Sequence, residues 1–103
     1  MADLDPTRGH EQAGRRPVLV ISDDLFNVSA AGLAIVLPLT SKNKHIPFHV
    51  EVSTGEGGLS RVSYIKCEDI RSVAKERLQS RLDSVTETTL AEVRYRLRLL
   101  LQL

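Results

Sequence analysis

The chain has 103 residues, 42% of them hydrophobic and 26% charged, with a formal net charge of +1. That is one domain's worth of chain with enough apolar surface to fold, and a multidomain reading is excluded. Aromatics supply only 4% and Trp is absent, which argues against a broad stacking platform for single-stranded bases, while the near-neutral balance confines any polyanion site to a local patch.

The single Cys67 rules out an intramolecular disulfide and a multi-cysteine zinc site, and suits a reducing compartment. Apolar runs fall short of the ~18 to 20 residues a membrane span needs, and no apolar stretch follows Met1 as a secretory signal. A cytoplasmic protein with no membrane partner is expected.

Residues 1–15, punctuated by Asp3, Asp5, Pro6, Gly9, Glu11, Gln12 and Gly14, read as a polar loop. Arg16-Pro17-Val18-Leu19-Val20-Ile21-Ser22 reads as a central strand covered on both faces, with Pro17 at its mouth. Residues 23–32 read as a connection. Leu33-Ala34-Ile35-Val36-Leu37-Pro38-Leu39 repeats the buried-strand pattern and gives way to the polar tip Thr40-Ser41-Lys42-Asn43-Lys44.

Phe48-His49-Val50-Glu51-Val52 alternates with period two, predicting a strand with one face in water, closed by Gly55, Gly57 and Gly58. Arg61–Cys67 alternates likewise, and Ile70–Val73 is short but β-prone. At the end, Leu90, Val93, Leu97, Leu100 and Leu101 share a helical stripe, with Glu92, Arg94, Arg96 and Arg98 largely off it. Thr86 reads as its N-cap, Glu87 suits the positive end of the dipole, and Val85 and Leu90 are spaced as a hydrophobic staple. The pattern predicts an α+β, mainly β domain over residues 1–103: a small antiparallel barrel roofed by a C-terminal amphipathic helix.

For chemistry, His10, His45 and His49 form no ligand pair at helical or hairpin spacing, so no metal site is expected. No glycine-rich loop opens a helix, so no nucleotide cofactor is expected. Cys67 lies beside Glu68 and Asp69, whose charges raise a thiol pKa, which favours a structural thiol over a nucleophile. The stretch Gly9-His10-Glu11-Gln12-Ala13-Gly14-Arg15-Arg16-Pro17 is more informative, because it packs imidazole, carboxylate, amide and guanidinium groups into the approach to a buried strand. By composition alone the favoured reading is a solvated loop in which Arg16 pairs with a carboxylate for stability.

A family resemblance tips that balance. Leu4 to Ile21, with its Gly-His-Glu-Gln loop and Arg-Arg-Pro, resembles the opening signature of the MazF/PemK/Kid toxins; Leu37-Pro38-Leu39-Thr40-Ser41 resembles their second signature, and Cys67-Glu68-Asp69-Ile70-Arg71-Ser72-Val73 their late strand. The resemblance implies an SH3-like barrel of the MazF/CcdB type. It also implies a toxin of a type II toxin-antitoxin system: a metal-independent, sequence-specific endoribonuclease that needs no cofactor, cuts single-stranded mRNA, is held by a cognate antitoxin and forms a homodimer. Most of the family's first strand is expected to be missing before Asp3.

Carried over residue by residue, the resemblance makes Arg16 and Thr40 the catalytic pair and implicates His10 and Glu68 in catalysis or RNA contact. Glu68 and Lys66 depart from the PemK/Kid branch, which has Asp and Arg there. Arg16 can grip a phosphate bidentately, Thr40 offers a further donor, and the general base stays open among His10, Glu11 and Glu68. RNA contacts are expected from Glu11, Gln12, Ser41, Lys42, Asn43, Lys44 and Lys66, with Lys42 and Lys44 equally readable as a solvated strand tip. Two other readings remain at this stage: a protein-binding toxin of the same fold, like the gyrase poison CcdB, and an inactive truncated family member.

Overall fold

The computed structural model describes residues 2–4, 16–23, 32–81 and 83–103. Its strands are β1 (Ala2–Leu4), β2 (Arg16–Val20), β3 (Leu33–Thr40), β4 (His49–Val52), β5 (Ser63–Lys66), β6 (Arg71–Ala74) and β7 (Leu78–Arg81), followed by helix α1 (Glu87–Leu101). All pairings are antiparallel, in the order β4-β5-β3-β2-β1-β7, with β6 joined to β3 off that path. The α+β, mainly β architecture is as the patterning predicts. The expected barrel needs one correction: among the described residues no ladder joins β4 to β7, so the sheet curls without closing.

The bend of the sheet is built into β3. Leu33 to Val36 pair with β6, whereas Leu39 and Thr40 pair with β5. The change of partner falls at Leu37 and Pro38, where proline has no N–H to offer a continuing ladder. Burial changes face at the same point. Ala34 and Val36 are buried with Val18 and Val73 in one cluster. Leu37 and Leu39 are buried with Leu19, Val50, Val52, Ile65, Cys67 and Val93 in the other.

Side chains alternate along a strand, so Pro38 and Thr40 continue the face of Ala34 and Val36 beyond the end of the first cluster and are only half-buried. The second cluster lies under α1, with Val85, Leu90, Leu97 and Leu100 packed against it. The half-sheet formed by β4, β5, the end of β3 and the start of β2 therefore has one face under the helix and the opposite face open.

Two strands escape the pattern reading. Ala2–Leu4, within the stretch read as loop, pairs with both β2 and β7. β7 reads Leu-Gln-Ser-Arg, too polar to announce itself; Leu78 packs against the Val18 cluster, and backbone pairing to β1 holds the strand. The helix begins as expected: Thr86 is the N-cap, and its side chain accepts from the Thr89 N–H. It ends at Gln102, in the left-handed conformation at φ 58°, with the Leu103 N–H donating back to the Arg98 carbonyl. One stripe residue is misread: Leu101 is exposed, whereas Leu90, Val93, Leu97 and Leu100 pack inward. Among the described residues no helix is long and apolar enough to cross a membrane.

Candidate active site

The open face of the half-sheet carries a row of side chains running across three strands. Thr40 pairs with Tyr64, and Tyr64 pairs with Glu51 on its other side. β2 and β3 pair as Val18↔Pro38, Leu19↔Leu37 and Val20↔Val36. Arg16, which pairs with Leu4 of β1, and Thr40 each lie two residues beyond the Val18↔Pro38 pair, on the face that this pair shares. The paired row is thus Thr40, Tyr64 and Glu51, with neighbouring strands about 4.8 Å apart, and Arg16 shares its face at the start of β2. Arg16, Thr40 and Tyr64 are half-buried and Glu51 is exposed. Strand alternation therefore puts Arg16 and Thr40, which the sequence singles out, on one face of the β2–β3 pair and at its same end.

Past Thr40 the chain turns tightly. The Thr40 hydroxyl accepts from the Lys42 N–H at 3.2 Å, and Asn43 Oδ1 accepts from the His45 N–H at 2.9 Å. His45 sits at φ 55° in that turn. These bonds brace the loop holding Ser41, Lys42, Asn43 and Lys44, all exposed. Among the described residues they also leave the Thr40 hydroxyl proton and the Asn43 amide free to donate, while the Asn43 carbonyl is already engaged. Lys42, Lys44 and Arg16 form no ion pair among the described residues.

Lys66 and Glu68 stand one step along the sheet from the Thr40 row. Lys66 follows Tyr64 by two residues on the same face, about 7 Å further on, and Glu68 lies beyond it in the turn after β5. Lys66 is 3.5 Å from Asp69, which also accepts from Arg71 at 2.6 Å. Burial works against the Asp69 carboxylate, but the Arg71 hydrogen bond and charge, helped by Lys66, outweigh it and hold its pKa below the usual range. Lys66 is therefore partly neutralised inside the protein. Glu68 Oε2 meets Nε2 of His49 at 2.9 Å.

His49 is the functional candidate that the alternating pattern mishandled. Period two places it on the water face of β4, yet its side chain is only 3% exposed. Its partner is nineteen residues away in sequence, so no local pattern announces the pair. Arg96 departs from expectation in a similar way: instead of a wet helix face, it donates to the Pro47 carbonyl at 2.9 Å and to Glu92 at 2.6 Å, tying α1 to the loop before β4.

Cys67 is fully buried, and burial, the first cause, pushes its thiol up to about 11, with Arg96 opposing and Glu68 adding. The structural-thiol reading stands, with burial outranking the neighbouring carboxylates as its cause. His10, Glu11 and Gln12 lie outside the described residues. Among the described residues no three His, Cys, Asp or Glu side chains are grouped as a metal ion requires.

A family model described as PemK-like, MazF-like toxin of type II toxin-antitoxin system matches residues 1–101. The chain belongs to that family. It is similar to endoribonuclease MazF9 of Mycobacterium tuberculosis, 39% identical over 106 residues covering 98% of this chain and 90% of the relative. Among solved structures, MazF of Deinococcus radiodurans (Form-I) superposes with a TM-score of 0.80 at 36% identity, covering 99% of this chain and 92% of that one. The MazE-MazF structure (Form-II) from the same organism matches at a TM-score of 0.77 and 36% identity, covering 99% and 89%. As a MazF-like toxin, the chain carries the family's curled antiparallel sheet and C-terminal helix throughout.

Proposed function

We propose that this MazF-like chain is the toxin of a type II toxin-antitoxin pair and a metal-independent endoribonuclease that cuts single-stranded RNA. What supports the reading is the placement of Arg16 and Thr40 on one face of the β2–β3 pair, each two residues beyond the Val18↔Pro38 pair. Its relative MazF9 bears the name endoribonuclease, which supports the activity over the CcdB-like and inactive readings.

In this reading the 2′-hydroxyl attacks the adjacent phosphorus and the 5′-oxygen departs with a proton, leaving a 2′,3′-cyclic phosphate and a 5′-hydroxyl. The Arg16 fork binds two phosphate oxygens and stabilises the charge that accumulates on the phosphorane. The Thr40 hydroxyl donates to the same group. A guanidinium with a pKa above ~12 is a poor acid, so the proton transfers belong to other groups, with His10, Glu11 and Glu68 as the candidates. Lys42 and Lys44 supply backbone contacts at the end of β3.

A cognate antitoxin is the expected protein partner, supported by the MazE-MazF structure of the Deinococcus radiodurans relative. A homodimer is the proposed assembly, supported by exposed Tyr95 and Leu99, four residues apart on α1, and exposed Leu103 just past its end, as apolar surface for a second copy. The cytoplasm, where mRNA is reached, is the proposed site of action.

The test is incubation of the purified protein with single-stranded RNA in excess EDTA, followed by analysis of the product ends. Cleavage with cyclic-phosphate and 5′-hydroxyl ends is expected. Intact RNA, or cleavage that stops when metal is chelated, overturns the reading.

A further inference from the structure

We infer that Glu68, held by His49, reads a nucleobase beside the cut, and that it makes this chain prefer a base with an exocyclic amino group at one position. The inference rests on the endoribonuclease reading and deepens it by naming a specificity-determining pair.

Three observations carry it. The first is position: Glu68 lies beyond Lys66, which is itself one step of about 7 Å past the row holding Thr40. A phosphate held between Arg16 and Thr40 is therefore separated from Glu68 along the strand direction, whereas a neighbouring nucleotide crossing the open face comes beside it.

The second is how the carboxylate is fixed. Nε2 of His49 lies 2.9 Å from Glu68 Oε2, and the imidazole is almost entirely enclosed, at 3% exposure, while Glu68 keeps 35% of its side chain in solvent. Nδ1 of His49 is buried and has no hydrogen-bond partner. An ionised carboxylate only accepts, so the imidazole proton sits on Nε2, and an unpaired lone pair at Nδ1 costs less than an unpaired buried N–H. His49 thus fits as the donor to Oε2, which leaves Glu68 Oε1 without a partner among the described residues.

The third is the surrounding charge. Lys66 and Arg71, cations of the same strand-and-turn segment, are both engaged with Asp69. A carboxylate left facing a polyanion repels phosphate, but it accepts well from the amino groups of cytosine, adenine or guanine. Uracil has no such amino group. With His49 ordering it beforehand, Glu68 makes that contact at little further entropic cost.

The experiment digests a pool of single-stranded RNA with randomised internal positions, sequences the new 5′ ends, and then measures kcat/KM on matched RNAs differing by cytosine or uracil at the preferred position. The parent is expected to show one position where amino-bearing bases are favoured. Glu68→Gln should reduce that discrimination by about tenfold or more, the size of a good base contact, through loss on the amino-bearing RNA. His49→Phe should relax the same position, and His49→Gln, which keeps a donor near the Nε2 site, should restore it in part.

A uniform fall in kcat for Glu68→Gln across all sequences would make the carboxylate a general base and overturn the inference, as would an unchanged preference. Because Glu68 is a surface residue, its variant keeps the test valid even if the His49 variants misfold. A parent that cleaves nothing removes the endoribonuclease reading itself, an outcome distinct from either.

Discussion

Glu56 and Thr89 are thirty-three residues apart in sequence, yet Thr89 Oγ1 donates to Glu56 Oε2 at 2.5 Å. The same carboxylate oxygen accepts from the Thr86 backbone N–H at 3.0 Å and the Thr86 hydroxyl at 3.1 Å. The short turn Glu56–Gly58, entered through Gly55 at φ 92°, thus places a negative charge at the N-terminus of α1, where unpaired N–H groups and the helix dipole favour it. The sheet and the helix are joined at this point.

An acid-stability prediction follows from the sign of the shifts. The Thr89 hydrogen bond, then the Thr86 backbone bond, hold the Glu56 pKa below its ordinary 4.5, and Arg71 holds Asp69 below its ordinary 3.8. Both folded values are depressed, so both contributions are fully present above the ordinary values and are lost as pH falls through the folded ones. Denaturant midpoints measured from pH 6 down to pH 2 should fall below about pH 4.5. Glu56→Gln should flatten the upper part of that fall, and an unchanged profile would count against the helix-terminus contact.

Thr86→Ala removes the N-cap acceptor for the Thr89 N–H and one donor to Glu56, both visible in the structure. The expected loss is about 1 kcal/mol. For a domain of this size that corresponds to a fall in Tm of about 4 to 8 °C. Thr86→Ser keeps the hydroxyl and should retain most of the stability; equal losses for the two variants would assign the effect to the methyl group instead.

The cap at Thr86, the inward stripe of Leu90, Val93, Leu97 and Leu100, and the end of β3 at Thr40 were legible because each is written in a few adjacent residues. The placement of Arg16 and Thr40 on one face was not, since it depends on the register between β2 and β3. Three other features depend on contacts that residue order does not encode: the change of partner at Pro38, the pairing of the polar strand Leu78–Arg81, and the burial of His49 against Glu68. Alternation assigns a face to each residue. It does not say which face is covered where, and the open half-sheet exists because coverage changes sides along β3.

Cys67 should be chemically silent in the native protein. Burial raises its thiol to about 11, so at pH 8 almost none is thiolate, and the side chain has no solvent exposure through which an alkylating agent can reach it. Iodoacetamide at pH 8 should leave the folded chain unmodified by mass spectrometry and label it fully in denaturant. Rapid labelling of the native protein would show that the core around Ile65 and Val93 opens readily.

Arg16 and Thr40 make separable demands on the reaction. Arg16→Ala removes a charge and a fork aimed where negative charge grows, and the expected loss is about 10²- to 10³-fold in kcat. Arg16→Lys keeps the charge but not the planar pair of donors, so only partial recovery is expected. Thr40→Val loses the donor while preserving shape; a hydrogen bond to a charged group is worth roughly 1.5 to 3 kcal/mol, so kcat/KM should fall about ten- to a hundredfold. Thr40→Ser retains both the donor and the bond accepted from the Lys42 N–H, and should stay close to the parent. Because the two side chains are proposed to act on one phosphate, the double variant Arg16→Ala with Thr40→Val should lose less than the product of the single losses. Strict multiplication of the two effects, measured by single-turnover cleavage of one defined RNA, would mean that they act independently and that the shared face is not one site.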